Sequence, residues 1–253
     1  MKKKHIILTG LLLLGNIGMI QAQGGRTNKT IVADVLAQMP ANQQGNYNKQ
    51  IGDLASTGEE GVLMLIEMMH APGKQSNAQV EYALSGLTHY VAAQGQESAR
   101  TAVVNGYLKA LDKTNERETK AFIIRQLQMV GGDESVDALG RYLNGDDLSG
   151  PAARALAAIG TDKAKQALQT SLMRRMGNAK TKMDAILAIG EAKLSVPEDL
   201  LTGMVGNGDV EFQRVVLYTL SRIGSTAALK PLAEAAEKAG FRYEKTQANE
   251  AYI

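Results

Sequence analysis

A short phrase of apolar residues closed by glycine recurs along this 253-residue chain. It reads Leu127-Gln128-Met129-Val130-Gly131, then Leu156-Ala157-Ala158-Ile159-Gly160, Ile186-Leu187-Ala188-Ile189-Gly190 and Leu220-Ser221-Arg222-Ile223-Gly224. Weaker copies end at Gly58 and Gly95, so successive glycines stand 37, 36, 29, 30 and 34 residues apart. That interval is the length of two helices with their turns. A recurrence of this kind constrains the fold more than any other feature, because each unit buries its apolar face only against its neighbours.

Within each copy Val91, Leu127, Leu156, Ile186 and Leu220 stand four residues before the glycine, and Val130, Ile159, Ile189 and Ile223 stand one before it. A step of three residues keeps both positions on one face of a helix. The glycine is expected to end that helix in the left-handed conformation, which costs a residue with a side chain about 1–2 kcal/mol. New helical patterns follow at 62–69, 99–111, 136–143, 164–172 and 227–236, preceded by acidic or hydroxyl residues suited to exposed helix amides. Polar turns at 71–74, 112–115, 144–147 and 206–209 separate the helices of each pair. Pro197 suits a first helical turn after a longer loop, and 31–39 and 47–55 read as a less regular N-terminal cap. Aromatic residues make up only 4% of the chain and Trp is absent, which favours small-on-small helix packing over a β-sandwich core. The expected fold class is all-α: an α-solenoid of stacked antiparallel helix pairs.

Two segments carry a family likeness, Pro151-Ala152-Ala153-Arg154-Ala155-Leu156-Ala157-Ala158-Ile159-Gly160 and Arg214-Val215-Val216-Leu217-Tyr218-Thr219-Leu220-Ser221-Arg222-Ile223-Gly224. These resemble HEAT repeats of the short bacterial kind, and the resemblance covers most of residues 45–240, strongest from 117 onward. It implies a HEAT-like superhelix whose repeat-lined surface receives a partner. Related repeats occur in phycobilin lyases, but the shared pattern is architectural and carries no lyase activity. The expected layout is a signal peptide at 1–22, a flexible segment with one capping helix at 23–44, the array at 45–240, and the start of a further, truncated helix at 241–253.

The signal assignment rests on Lys2, Lys3 and Lys4 ahead of an apolar stretch broken by Gly10, Gly15 and Gly18, with Ala22 at the cleavage point. Cysteine is absent, which excludes disulfides, thiolate metal sites and a lipidated N-terminal Cys. The expected product is exported, periplasmic or extracellular, with no stable membrane anchor after cleavage. Without the three leader lysines the 28 basic residues become 25 against 26 acidic ones, about −1, so nucleic acid is not expected as a partner.

No catalytic, cofactor-binding or metal-binding residue is expected. His5, His70 and His89 are isolated, with His70 read as a turn residue, and no nucleophile elbow, phosphate loop or dinucleotide fingerprint occurs. Glu59-Glu60, Asp133-Glu134 and Asp146-Asp147 fall at helix starts or turns, where dipole and turn chemistry account for them. The loop at 144–147 lacks the spaced ligands and distal Glu of a calcium loop. Met64, Met68 and Met69 read as core filling. The candidate partner surface is the set of positions six residues before each glycine: His89, Arg125, Arg154, Asp184 and Tyr218, with Arg214 and Arg222 beside them. Constant offset places them at equivalent points of successive helices. The expected function is an exported scaffold that binds a protein or peptide. The alternative is the N-terminal repeat module of a larger exported glycan-processing enzyme. Oligomeric state is left open.

Overall fold

The computed structural model describes residues 26–41, 43–145, 147–173 and 178–253; the expected signal peptide lies outside them, as does Asp146. All regular structure among these residues is helical. Seven pairs succeed one another: α1 (Asn28–Ala37) and α2 (Gln44–Ala55); α3 (Gly58–Glu67) and α4 (Ala78–Val91); α5 (Glu97–Lys113) and α6 (Arg117–Val130). Then come α7 (Asp133–Gly140), prolonged by a 3-10 turn at Arg141–Asn144, and α8 (Ser149–Ile159); α9 (Asp162–Met173) and α10 (Ala179–Glu191). The last are α11 (Glu198–Thr202) and α12 (Val210–Ile223), then α13 (Thr226–Lys238) and α14 (Ala248–Tyr252).

Helices pack on their pair mates and, α9 with α11 apart, on the corresponding helices of adjacent pairs. Odd-numbered helices form one row and even-numbered helices the other, with α2, α4, α6, α8, α10, α12 and α14 each packed against the next. This is an α-solenoid, with its core in a strip between the rows. The repeating apolar positions line that strip: Val91, Leu127, Leu156, Ile186 and Leu220 are all buried, as are Val130 and Ile189, while Ile159 and Ile223 are half-buried. Each such side chain contributes roughly 1.5–3 kcal/mol by leaving water. Met64 and Met69 pack against the core as expected, but Met68 is exposed at the C-terminal end of α3.

The repeated glycines do not share one role. Gly160 and Gly224 end α8 and α12 in the left-handed conformation, at φ of 64° and 68°. Gly58 and Gly95 are also left-handed, but Gly58 opens α3 and Gly95 sits in the turn after α4. Gly131 is extended. Gly190 lies inside α10, and the left-handed residue of that turn is Lys193. A β-carbon on Gly190 would stand 2.7 Å from Thr219 Oγ1 and 3.0 Å from Thr219 Cα, so this glycine lets α10 and α12 approach. Thr219 Oγ1 completes the contact by donating to the Ile186 carbonyl at 3.1 Å. Gly106 does the same in the odd row, where a β-carbon would meet Val62 Cβ at 2.7 Å and the Glu59 carbonyl at 3.1 Å.

Past Gly240 the structure differs from one continuous helix. Residues 241–247 form a turn organised by the Glu244 carboxylate, which accepts from Thr246 N at 2.7 Å, Ala248 N at 3.2 Å and Thr246 Oγ1. These donors, the Thr246 hydroxyl foremost, hold the Glu244 carboxyl below its ordinary range. The five-residue α14 then packs on α12 and α13, and Phe241 meets Tyr252 with ring centroids 6.3 Å apart.

Candidate functional site

The even row presents the candidate surface, and local chemistry fixes where its helices begin. Asp209 caps α12, its Oδ1 accepting from Phe212 N at 2.8 Å, and Asn178 Oδ1 caps α10 by accepting from Thr181 N at 2.8 Å. With starts and core-facing positions set, the residue six before each glycine falls opposite the core. His89 on α4, Arg125 on α6, Arg154 on α8 and Tyr218 on α12 are exposed, and so are Arg214 and Arg222. Asp184 on α10 is the exception, only half-exposed.

Asp184 is held by its neighbours. Ser149 donates to its carboxylate from the start of α8, and Lys180 pairs with it at 2.7 Å across one turn of α10. A β-carbon on Gly150 would lie 3.4 Å from Asp184 Oδ1 and 3.5 Å from Arg154 Nη1, so these two members of the row flank one point on α8. Asp184 therefore ties α10 to α8 as well as belonging to the face.

The arginines divide into two kinds. Arg214 is tied to Glu211 on its own helix. Arg125, Arg154 and Arg222 make no ion pair within 4.0 Å among the described residues, and the Arg125 guanidinium stands 5.9 Å from the Phe122 ring centroid. The carboxylates nearest in sequence on this side, Glu118 and Asp147, both pair with Arg117, at 3.5 and 4.0 Å. Neither Arg125 nor Arg154 is therefore held in an ion pair, although the Asp184 carboxylate stands on the other side of Gly150 from Arg154.

One turn beyond the row stand Met129 and Ala158, both exposed, and Arg222. Met129, 45% exposed, flanks the Arg125 position at i+4. Tyr82 on α4 is likewise exposed, in an edge-on contact with Tyr47 at 5.8 Å. Neither residue follows from the glycine offset. Exposed large apolar side chains in helices whose other apolar positions are buried are the signal that marks them. At the far end of the row, Arg214, Tyr218 and Ser221 meet Gln247, Glu250 and Ala251 around a cavity of about 90 Å3 between α12 and α14.

The remaining acidic and histidine positions have local roles. Glu59 and Glu60 occupy the first turn of α3, where Glu59 pairs with Lys109 at 2.5 Å and Glu60 accepts from Asn28. Asp133 and Glu134 open α7, with Glu134 paired to Arg100 at 3.2 Å. His70 sits in a turn, exchanging two backbone hydrogen bonds of 2.8 Å with the Asn77 side chain. No group of three His, Cys, Asp or Glu able to hold a metal occurs among the described residues, and none of their helices is long and apolar enough to cross a membrane. A cavity of about 600 Å3 opens between α7 and α9 on the odd row, beside the Asp137–Lys163 ion pair. No family model, curated protein or solved structure matches this chain.

Proposed function

We propose that this chain is an exported scaffold of HEAT-like repeats that binds a polypeptide along its even-numbered helices. The observation that carries the reading is the row itself: side chains at one register on five consecutive helices, with Arg125 and Arg154 exposed on adjacent helices and free of ion pairs among the described residues. A guanidinium that is not already ion-paired is open to a bidentate pair with an incoming carboxylate. The export assignment rests on the composition of residues 1–22.

The test reverses the charge. Arg125→Glu with Arg154→Glu should abolish capture of partners from an extract of the source cells while far-UV circular dichroism stays unchanged. Lys230→Glu with Lys238→Glu, on the odd-numbered α13, should leave capture intact. If the even-row variant captures every protein that the unaltered chain does, the surface is misassigned.

A further inference from the structure

We infer that the even row takes an extended, acidic polypeptide segment lying across the helices at about three residues per helix. This rests on the reading of that row as a polypeptide-binding face and adds to it the chemistry and spacing of the ligand.

The spacing follows from geometry. Packed helices lie about 8–10 Å apart. A chain in the polyproline II conformation rises about 3.1 Å per residue with three residues per turn, so every third side chain returns to the same face after roughly one helix step. A ligand crossing α6, α8, α10 and α12 therefore presents every third side chain to Arg125, Arg154, Asp184 and Tyr218 in turn.

Each position states a preference. Arg125 and Arg154 take carboxylates, since a guanidinium binds one in a bidentate fork and neither has a competing carboxylate within 4.0 Å among the described residues. The Asp184 carboxylate, paired with Lys180 and accepting from Ser149, favours a basic or neutral residue. Tyr218, 40% exposed, offers an aromatic face for an apolar or aromatic residue, and Met129 adds apolar surface beside Arg125. The matching ligand carries acid, acid, base and aromatic at every third position.

Asp184 also separates this ligand from uniform polyanions. A nucleic acid or an acidic polysaccharide places negative charge at every repeat unit, so one that satisfies Arg125 and Arg154 sets an anion on the next helix beside the Asp184 carboxylate, whose Lys180 partner is already engaged. A polypeptide changes charge from residue to residue and avoids that repulsion.

Fluorescently labelled ten-residue peptides with Asp, Glu, Lys and Tyr at positions 1, 4, 7 and 10 and Gly or Ser between, in forward and reversed order, supply the probe. Binding is followed by anisotropy against the purified protein. At least one order should bind ten-fold or more tighter than a scrambled peptide of equal composition. Arg125→Gln with Arg154→Gln should remove that advantage, and binding should weaken with added salt. Equal binding of patterned and scrambled peptides overturns the inference, as does tighter binding of single-stranded DNA or heparin. If the peptides show no preference while capture from extract still depends on Arg125 and Arg154, the spacing falls and the binding face stands. If capture is also indifferent to both arginines, the two fall together.

Discussion

Gly106→Ala and Gly190→Ala test whether missing side chains set the distance between neighbouring helices. In a helix an alanine is ordinarily preferred to glycine by about 0.5–1 kcal/mol. At Gly106 the new methyl would stand 2.7 Å from Val62 Cβ, a branched and fully buried carbon, and 3.1 Å from a backbone carbonyl. Neither can swing aside. Overpacking of this kind costs about 1–3 kcal/mol, so after the propensity gain the net loss should be about 1–2 kcal/mol. Gly190 meets Thr219 at 2.7 Å and should lose a similar amount. Gly140, the last residue of α7, has helical backbone angles and nothing within 4 Å of where a methyl would stand, so Gly140→Ala should gain up to about 1 kcal/mol. Urea unfolding followed by circular dichroism reads the difference. For a chain of this size each kcal/mol moves the thermal midpoint by about 2–4 °C. The first two variants should melt several degrees lower and the third slightly higher. If Gly106→Ala and Gly190→Ala are stabilised as much as Gly140→Ala, close helix approach does not explain these glycines.

Two further perturbations address other parts of the fold. Leu156, fully buried on α8, should lose about 2–5 kcal/mol on replacement by Ala, and a change below about 0.5 kcal/mol in denaturant titration would show that the repeat register is misread. Glu244 has a depressed carboxyl pKa, so its contribution to the 241–247 turn is fully present above the ordinary value of 4.5 and is lost as pH falls through the folded-state value below it. The amide resonances of Thr246 and Ala248 should move together over that acidic range and be insensitive to it in Glu244→Gln. Resonances that stay fixed down to about pH 3 in the unaltered protein mean either that Glu244 is still ionised there or that it does not hold the turn, and Glu244→Gln shifting neither amide at neutral pH would establish the latter.

What could be read from the sequence was the local part of each repeat. The apolar register predicted which residues are buried, and the acidic and hydroxyl positions predicted helix starts, with Thr161 and Ser225 accepting from Ala164 N and Ala228 N at 3.3 Å. Gly160 and Gly190 close nearly identical phrases, yet one ends a helix and the other lies within one. What Gly190 accommodates is Thr219, a neighbour twenty-nine residues further on that no local pattern contains. Arg154 and Asp184 likewise share a register but not a state, because Ser149 reaches Asp184 from the preceding even helix. The turn around Glu244 escaped the periodic reading because its hydrogen bonds span only two to four residues and have no apolar period.

The glycine contacts at Gly106 and Gly190 lie in opposite rows, and this has a mechanical consequence. Near α3 and α5 the array is fastened along its odd edge; near α10 and α12 it is fastened along its even edge, while the short α7 and α11 leave the odd edge more open, with the 600 Å3 cavity beside α7. A strip joined along one edge hinges about that edge and resists stretching along it. Stretching the array is therefore expected to part the even edge first around α3 and α5 and the odd edge first around α10 and α12.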